Sequence, residues 1–271
     1  MKKFVQIEVR TRSEEEGDIL IAHLAEINFY AFEQKDEILN AYINEEDFDE
    51  SMIILLLPEN ISYISRIIED RNWNQEWEDQ LQPIQIGNFV GIRTIFHNPF
   101  KNVAHELIIT PKMSFGTGHH ATTFLLIELM DQISFKNKSV LDFGTGTGIL
   151  AILAEKLGAI QILAIDYDEW SIKNARENIR ENNCKYIILQ RADNISEVPA
   201  VNIIIANINL SILTENAGNF ATILMPSSHL IISGFLASDE EQISSCLGKN
   251  GFIIKMVMKK EGWAALLVEK Q

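Results

Sequence analysis

One run of nine residues constrains this chain more than any other: Val140-Leu141-Asp142-Phe143-Gly144-Thr145-Gly146-Thr147-Gly148. An apolar strand over 139–143 enters a turn of three alternate glycines. A helical pattern over 149–157 leaves it and is closed by Gly158. Glycines let the backbone turn sharply and let a ligand come close to the N–H groups, here those of Gly144 and Gly146. A dinucleotide fingerprint places its last glycine three residues after the second, because a diphosphate must rest on the helix N-terminus. Here Ile149 stands at that position. Asp142, just before the turn, would repel a diphosphate and suits a ligand that carries a cationic amine and a sulfonium.

The pattern around this turn repeats as apolar strand, polar break and helix. Strands are expected at 162–166, 187–191, 201–206 and 229–233, with a helix at 171–182. Continuous apolar strands between helices mean a mostly parallel sheet covered on both faces, an α/β fold. The strand after the glycine turn ends in Ala164-Ile165-Asp166, 22 residues beyond Gly144. A carboxylate there takes both hydroxyls of a ribose, which suits S-adenosylmethionine and a nicotinamide cofactor alike. Asp168 reads as a helix cap. The apolar run Ile203-Ile204-Ile205-Ala206 delivers Asn207 at its C-terminal end, where an amide can accept a hydrogen bond from an amine and aim its lone pair at a methyl donor. Nucleobase amino methylation uses Asn-Pro-Pro-aromatic at this place, and Asn207-Ile208-Asn209-Leu210 has neither proline nor aromatic. The loop Phe115-Gly116-Thr117-Gly118-His119-His120-Ala121-Thr122-Thr123 precedes the turn and can close over a ligand, with Thr123 as a contact. Its two histidines have no cysteine or third histidine beside them, so no metal site is expected.

The N-terminal region differs. Residues 1–100 hold 20 acidic and 8 basic side chains, net −12 of the chain's −15. Such acidity argues against a nucleic-acid backbone as partner and favours a basic one. Strands at 3–10, 29–34, 38–43 and 61–69 alternate with helices at 14–27 and 46–57. The first helix opens on the capping box Ser13-Glu14-Glu15-Glu16. This β-α-β-β-α-β order predicts a small α+β, ferredoxin-like domain over 1–70. A linker and lead-in over 71–100 follows, with a connecting helix near 72–77 and strands at 89–95 and 107–110. The ligand-binding domain fills 101–271. Cys184 and Cys246 make no disulfide framework and suit a reducing cytoplasm. No run approaches the roughly 18 apolar residues of a membrane span.

Taken together, Gly116–Thr123, the glycine turn, Ala206-Asn207-Ile208, Ser233-Gly234-Phe235-Leu236-Ala237-Ser238, Glu261-Gly262-Trp263 and Asn72-Trp73-Asn74-Gln75-Glu76-Trp77 resemble the methyltransferases of ribosomal large-subunit protein eleven (PrmA type). The likeness spans nearly the whole chain. It departs from many relatives at Thr145, where they carry cysteine, and in His119-His120-Ala121, where they carry Thr-His-Pro. The resemblance implies a class I, Rossmann-like methyltransferase domain behind a substrate-recognition domain. It also implies cofactor contacts at Thr123, Gly144, Asp166 and Asn207, and transfer of methyl groups to lysine and N-terminal amines of that ribosomal protein. The enzyme is expected to be monomeric and cytoplasmic, with no direct nucleic-acid or membrane contact. The alternative is a class I methyltransferase acting on another basic protein or a small amine.

Overall fold

The computed structural model describes residues 3–35, 37–57, 61–69, 82–110, 112 and 114–271. The chain divides into two compact units, Met1–Trp77 and Glu78–Gln271.

In the first unit the described elements run β1 (Lys3–Arg10), α1 (Glu14–Glu26), β2 (Ala31–Lys35), β3 (Ile38–Asn44), α2 (Glu50–Leu56) and β4 (Tyr63–Glu69). They form a four-stranded sheet in the order β2-β3-β1-β4, with every pair antiparallel. Period-two alternation explains the core. Val5, Ile7 and Val9 of β1 and Leu39, Ala41 and Ile43 of β3 all point inward, against Leu20 and Leu24 of α1 and Ile53 of α2. At the start of α1 the Ser13 hydroxyl accepts from the Glu16 N–H at 3.2 Å. The Glu16 carboxylate accepts from Arg12, one residue before the cap. The helix expected over 46–57 is split in two. Glu45–Asp47 forms one 3-10 turn, Phe48 is extended, and Asp49 caps a new helix by accepting from the Ser51 N–H. The acidic lead thus offers two competing caps, and Asp49 wins because its carboxylate reaches the next turn. The connecting helix expected near 72–77, at the start of the linker and lead-in, lies outside the described residues.

The second unit opens with a three-stranded sheet, β5 (Ile84–Ile86), β6 (Val90–Arg93) and β7 (His105–Ile108), in that order. There follow α3 (Ala121–Met130), β8 (Ser139–Phe143), α4 (Ile149–Lys156), β9 (Gln161–Asp166), α5 (Glu169–Glu181), β10 (Ile187–Arg191), β11 (Val201–Asn207), α6 (Leu210–Ile223), β12 (Leu224–Leu236), α7 (Glu240–Lys249), β13 (Phe252–Lys260) and β14 (Trp263–Lys270). The large sheet has the order β10-β9-β8-β11-β12-β14-β13. Its first five strands run parallel, β14 runs antiparallel to its neighbours β12 and β13, and β13 runs in the same direction as the first five. The sequence analysis assigned no structure to 252–270, and these residues form the antiparallel hairpin that completes the sheet.

Alternation along β11 shows why the strands read as unbroken apolar runs. Ile203 and Ile205 face the core shared with α3 and α4, and Ile204 and Ala206 face the core shared with α6 and α7. The small sheet β5–β7 joins the first of these cores through Ile86, Val90, Ile92 and Leu107. Residues 84–100, read as linker and lead-in, therefore supply core to the second unit. Among the described residues no helix is long and apolar enough to cross a membrane.

Phe220 of α6 is fully buried and meets Phe143 edge-on, with ring centroids 5.9 Å apart. Phe220→Ala is expected to cost about 3–5 kcal/mol, read as a lower urea midpoint at unchanged m-value.

Candidate active site

The site lies where the sheet reverses its order. The chain runs from β8 outward to β9 and β10, then returns to place β11 on the other side of β8. Ligands of open α/β sheets bind beyond the carboxyl ends of the strands at such a reversal. Here those ends carry the glycine turn after β8, Asp166 closing β9 and Asn207 closing β11. A cavity of about 520 Å³ opens there, lined among others by Phe143, Gly144, Gly146, Asp166, Asn207 and Ile208. That volume suits a nucleoside joined to an amino acid.

The turn is held from three sides. The N–H groups of Gly144 and Thr145 both donate to the Ile165 carbonyl at 2.9 Å. Gly146 donates its N–H to Asp166 Oδ2 at 2.9 Å. Its φ of 54° and the nearness of the Phe115 carbonyl leave no room for a β-carbon. Thr147 ties the turn to the loop above it, its N–H donating to Phe115 O at 3.0 Å and its hydroxyl to Gly116 O at 2.7 Å. Phe115 borders the cavity from that loop.

Asp166 accepts from Gly146 on one oxygen and from the Asp168 N–H on the other, at 3.0 Å. Each oxygen keeps a lone pair for a further donor. Asp168 caps α5 as expected, accepting from the Ser171 N–H at 2.9 Å, and also lines the cavity.

Asn207 meets Thr123 rather than open space. Its Nδ2 donates to Thr123 Oγ1 at 3.2 Å, while its Oδ1 is buried without a protein partner. Thr123 is completely buried and does not border the cavity. It touches the site only through the amide it holds.

Asp142 works from beneath the turn. It is buried, does not line the cavity, and accepts the Thr145 hydroxyl at 2.6 Å on Oδ2. Burial raises its pKa from 3.8 to about 7, against the Thr145 hydrogen bond that lowers it, with a further rise from the Asp166 charge. Its charge is therefore partly neutralised near neutral pH. In the structure Asp142 supports the glycine turn through the Thr145 hydroxyl.

The histidine pair stays outside the cavity. His119 Nε2 lies 3.1 Å from the Gln82 carbonyl. The His120 ring caps α3 by accepting from the Thr122 N–H at 3.3 Å, and its edge contacts Phe115 and Trp263 at centroid distances of 5.3 and 4.8 Å. Among the described residues no cluster of His, Cys, Asp or Glu could hold a metal ion.

Several residues of the site were not read from sequence. Tyr167, Ala192, Asp193 and Ile212 line the cavity. Asp193 sits just past the end of β10, so the rule that strand ends carry ligand contacts would have found it. Asn174, Asn178 and Asn182 recur every fourth residue on α5 and hydrogen-bond the chain at 108–110 like a neighbouring strand. Asn182 accepts from the Ile108 N–H at 3.0 Å and donates to its carbonyl at 2.7 Å. Asn178 accepts from the Thr110 N–H at 3.0 Å and donates to the Thr147 carbonyl at 2.9 Å.

The sheet order, the glycine turn without a dinucleotide's third glycine and the carboxylate closing β9 define a class I, S-adenosylmethionine-dependent methyltransferase domain. The comparisons place it further. The family described as Ribosomal protein L11 methyltransferase (PrmA) matches residues 5–271. A ribosomal protein L11 methyltransferase of Bacteroides thetaiotaomicron is 40% identical over 260 residues, 92% of each chain. One of Porphyromonas gingivalis is 39% identical over 258 residues, 92% of this chain and 89% of that one. The crystal structure of the ribosomal protein L11 methylase of Lactobacillus delbrueckii subsp. bulgaricus superposes with a TM-score of 0.64 at 30% identity, covering 70% of this chain and all of that one. The chain belongs to the ribosomal protein L11 methyltransferase family.

The raised pKa of Asp142 has a consequence for stability. The folded chain keeps a proton that the unfolded chain releases, so the contribution of this group is complete below pH 3.8 and is lost as pH rises through about 7. Asp142→Asn is expected to flatten the fall in Tm over that window, measured by calorimetry without cofactor. An unchanged Tm–pH slope would refute it.

Proposed function

We propose that this chain transfers methyl groups from S-adenosylmethionine to ribosomal protein L11, on lysine side chains and the N-terminal amine. The observation that carries the reading is Asn207 at the end of β11, which borders the same cavity as Asp166 and the glycine turn and whose buried Oδ1 has no protein partner. Fold, glycine spacing and family membership support the cofactor. It supplies a methyl group on a positively charged sulfur.

The roles of the side chains follow from their chemistry. Asp166 takes ribose hydroxyls with its remaining lone pairs. Gly144 and Gly146 let the backbone lie against the amino-acid part. Asn207 Oδ1 accepts a hydrogen bond from the incoming amine and so points the nitrogen lone pair along the transfer direction. Thr123 keeps the amide in that orientation by accepting from Nδ2. The amine must be neutral to attack. A lysine ordinarily loses its proton near pH 10.4 and an α-amine near about 8. The apolar walls Phe143, Ile208 and Ile212 disfavour the ammonium form and help shed that proton to solvent before transfer. What remains is positioning, worth several orders of magnitude in rate.

The first unit is the docking module for the protein substrate. Its strongly acidic character complements a basic ribosomal protein. The same reading has the enzyme monomeric and cytoplasmic, without direct contact to nucleic acid or membrane.

Incubating ribosomal protein L11 with this protein and S-adenosylmethionine is expected to add mass in steps of one methyl group, with fragment ions on lysine and the N-terminus. No gain, with cofactor binding intact by calorimetry, overturns the substrate assignment. Asn207→Ala is expected to lower kcat by about 10²-fold or more while the protein still binds cofactor. Full kcat in that variant would remove Asn207 from the chemistry.

A further inference from the structure

Ile208, the residue after Asn207, is gripped between two glycines from distant parts of the second unit. A β-carbon on Gly144 would run into Ile208 Cγ2. One on Gly234 would run into the Ile208 carbonyl, lying 2.7 Å from its carbon and 2.9 Å from the Ile208 nitrogen. Gly234 has a φ of 102°, in the region that favours glycine. It sits where β12 carries an extra residue against β14, the register shifting between Ser233 and Phe235. Such bulges bend a strand and re-aim what lies beside it.

Two hydrogen bonds pin this bulge. The Ile208 N–H donates to the Ser233 carbonyl at 3.2 Å. The Ser233 hydroxyl, wholly buried, donates to the Ala264 carbonyl at 2.7 Å. The end of β11 is thus pressed onto the bulge from one side and onto the glycine turn from the other.

We propose that Gly234 is a positioning residue for methyl transfer, fixing through the Ile208 backbone the point at which the Asn207 amide meets the cavity. The inference rests on the role given above to Asn207. A side chain at 234 must displace Ile208, and Ile208 cannot yield toward Gly144 because its own Cγ2 already fills that space. The displacement passes back one residue, to an amide that only Thr123 otherwise holds.

The test uses the full chain with ribosomal protein L11 and S-adenosylmethionine. Gly234→Ala is expected to lower kcat by about 10²-fold, the cost of a misplacement near 1 Å, with cofactor affinity changed only slightly by calorimetry. Added to Asn207→Ala, the same change is expected to cost little more, because both remove one interaction. Ser233→Ala removes the pin without adding bulk and is expected to lower kcat several-fold. It decides the matter if Gly234→Ala no longer binds cofactor. Full kcat in Gly234→Ala, or in Ser233→Ala where that variant decides, overturns the proposal and leaves the function of the site standing. Losses from Gly234→Ala and Asn207→Ala that simply multiply overturn it too. If Asn207→Ala itself keeps full kcat, the failure lies in the role of Asn207, and this inference falls with it.

Discussion

The parallel pairing of β8 with β11 is the constraint on which the rest of the second unit depends. Because β9 and β10 lie on one side of β8 and β11 on the other, the loops leaving β8 and β11 diverge. The sheet cannot fill the gap between them with its own backbone. Everything functional gathers at that gap, and the packing of both faces serves to hold the two strand ends still. Ile203 to Ala206 contribute alternately to the two cores, so β11 cannot slide without breaking both.

Rigidity at the site comes from hydrogen bonds made by neutral groups together with the Asp166 carboxylate. The asparagines of α5 stand in for a missing strand beside residues 108–110, and Asn178 extends the same network to the Thr147 carbonyl in the glycine turn. Thr147 carries it on to the loop at Phe115 and Gly116. A buried amide hydrogen-bonded to backbone groups fixes a chain more sharply than an apolar contact, which slides at little cost. Tethering by neutral groups leaves the carboxylates of Asp166, Asp168 and Asp193 to border the cavity. Asp142 shows the cost of the other choice: placed beneath the turn, it loses much of its charge to burial.

Charge is spread unevenly along the chain. The acidity of the chain is concentrated before residue 100, net −12 of −15. Long-range attraction of a basic protein needs that charge on an exposed surface. Methyl transfer needs an apolar cavity where an amine stays neutral. One surface cannot meet both demands, so separate modules are a physical solution to both.

Much of this was legible in the sequence. Periodicity gave β8 and β10 to the residue and β9 and β11 to within one, because strands buried on both faces are continuous apolar runs bounded by polar turns, whereas β12 begins five residues before and ends three after the expected 229–233. The glycine spacing and the acid 22 residues later pointed to residues that border one cavity, Gly144, Gly146 and Asp166, at the strand ends. The sequence could not show that Thr123 hydrogen-bonds Asn207, that Asp142 lies under the turn, or that three asparagines bond the chain at 108–110. Nor could it show that Gly144 and Gly234, 90 positions apart, grip the same isoleucine. Local pattern determines which elements form and which residues stand at their ends. Which of those ends meet, and which side chain then faces the cavity, is decided only when the sheet order brings distant strands together.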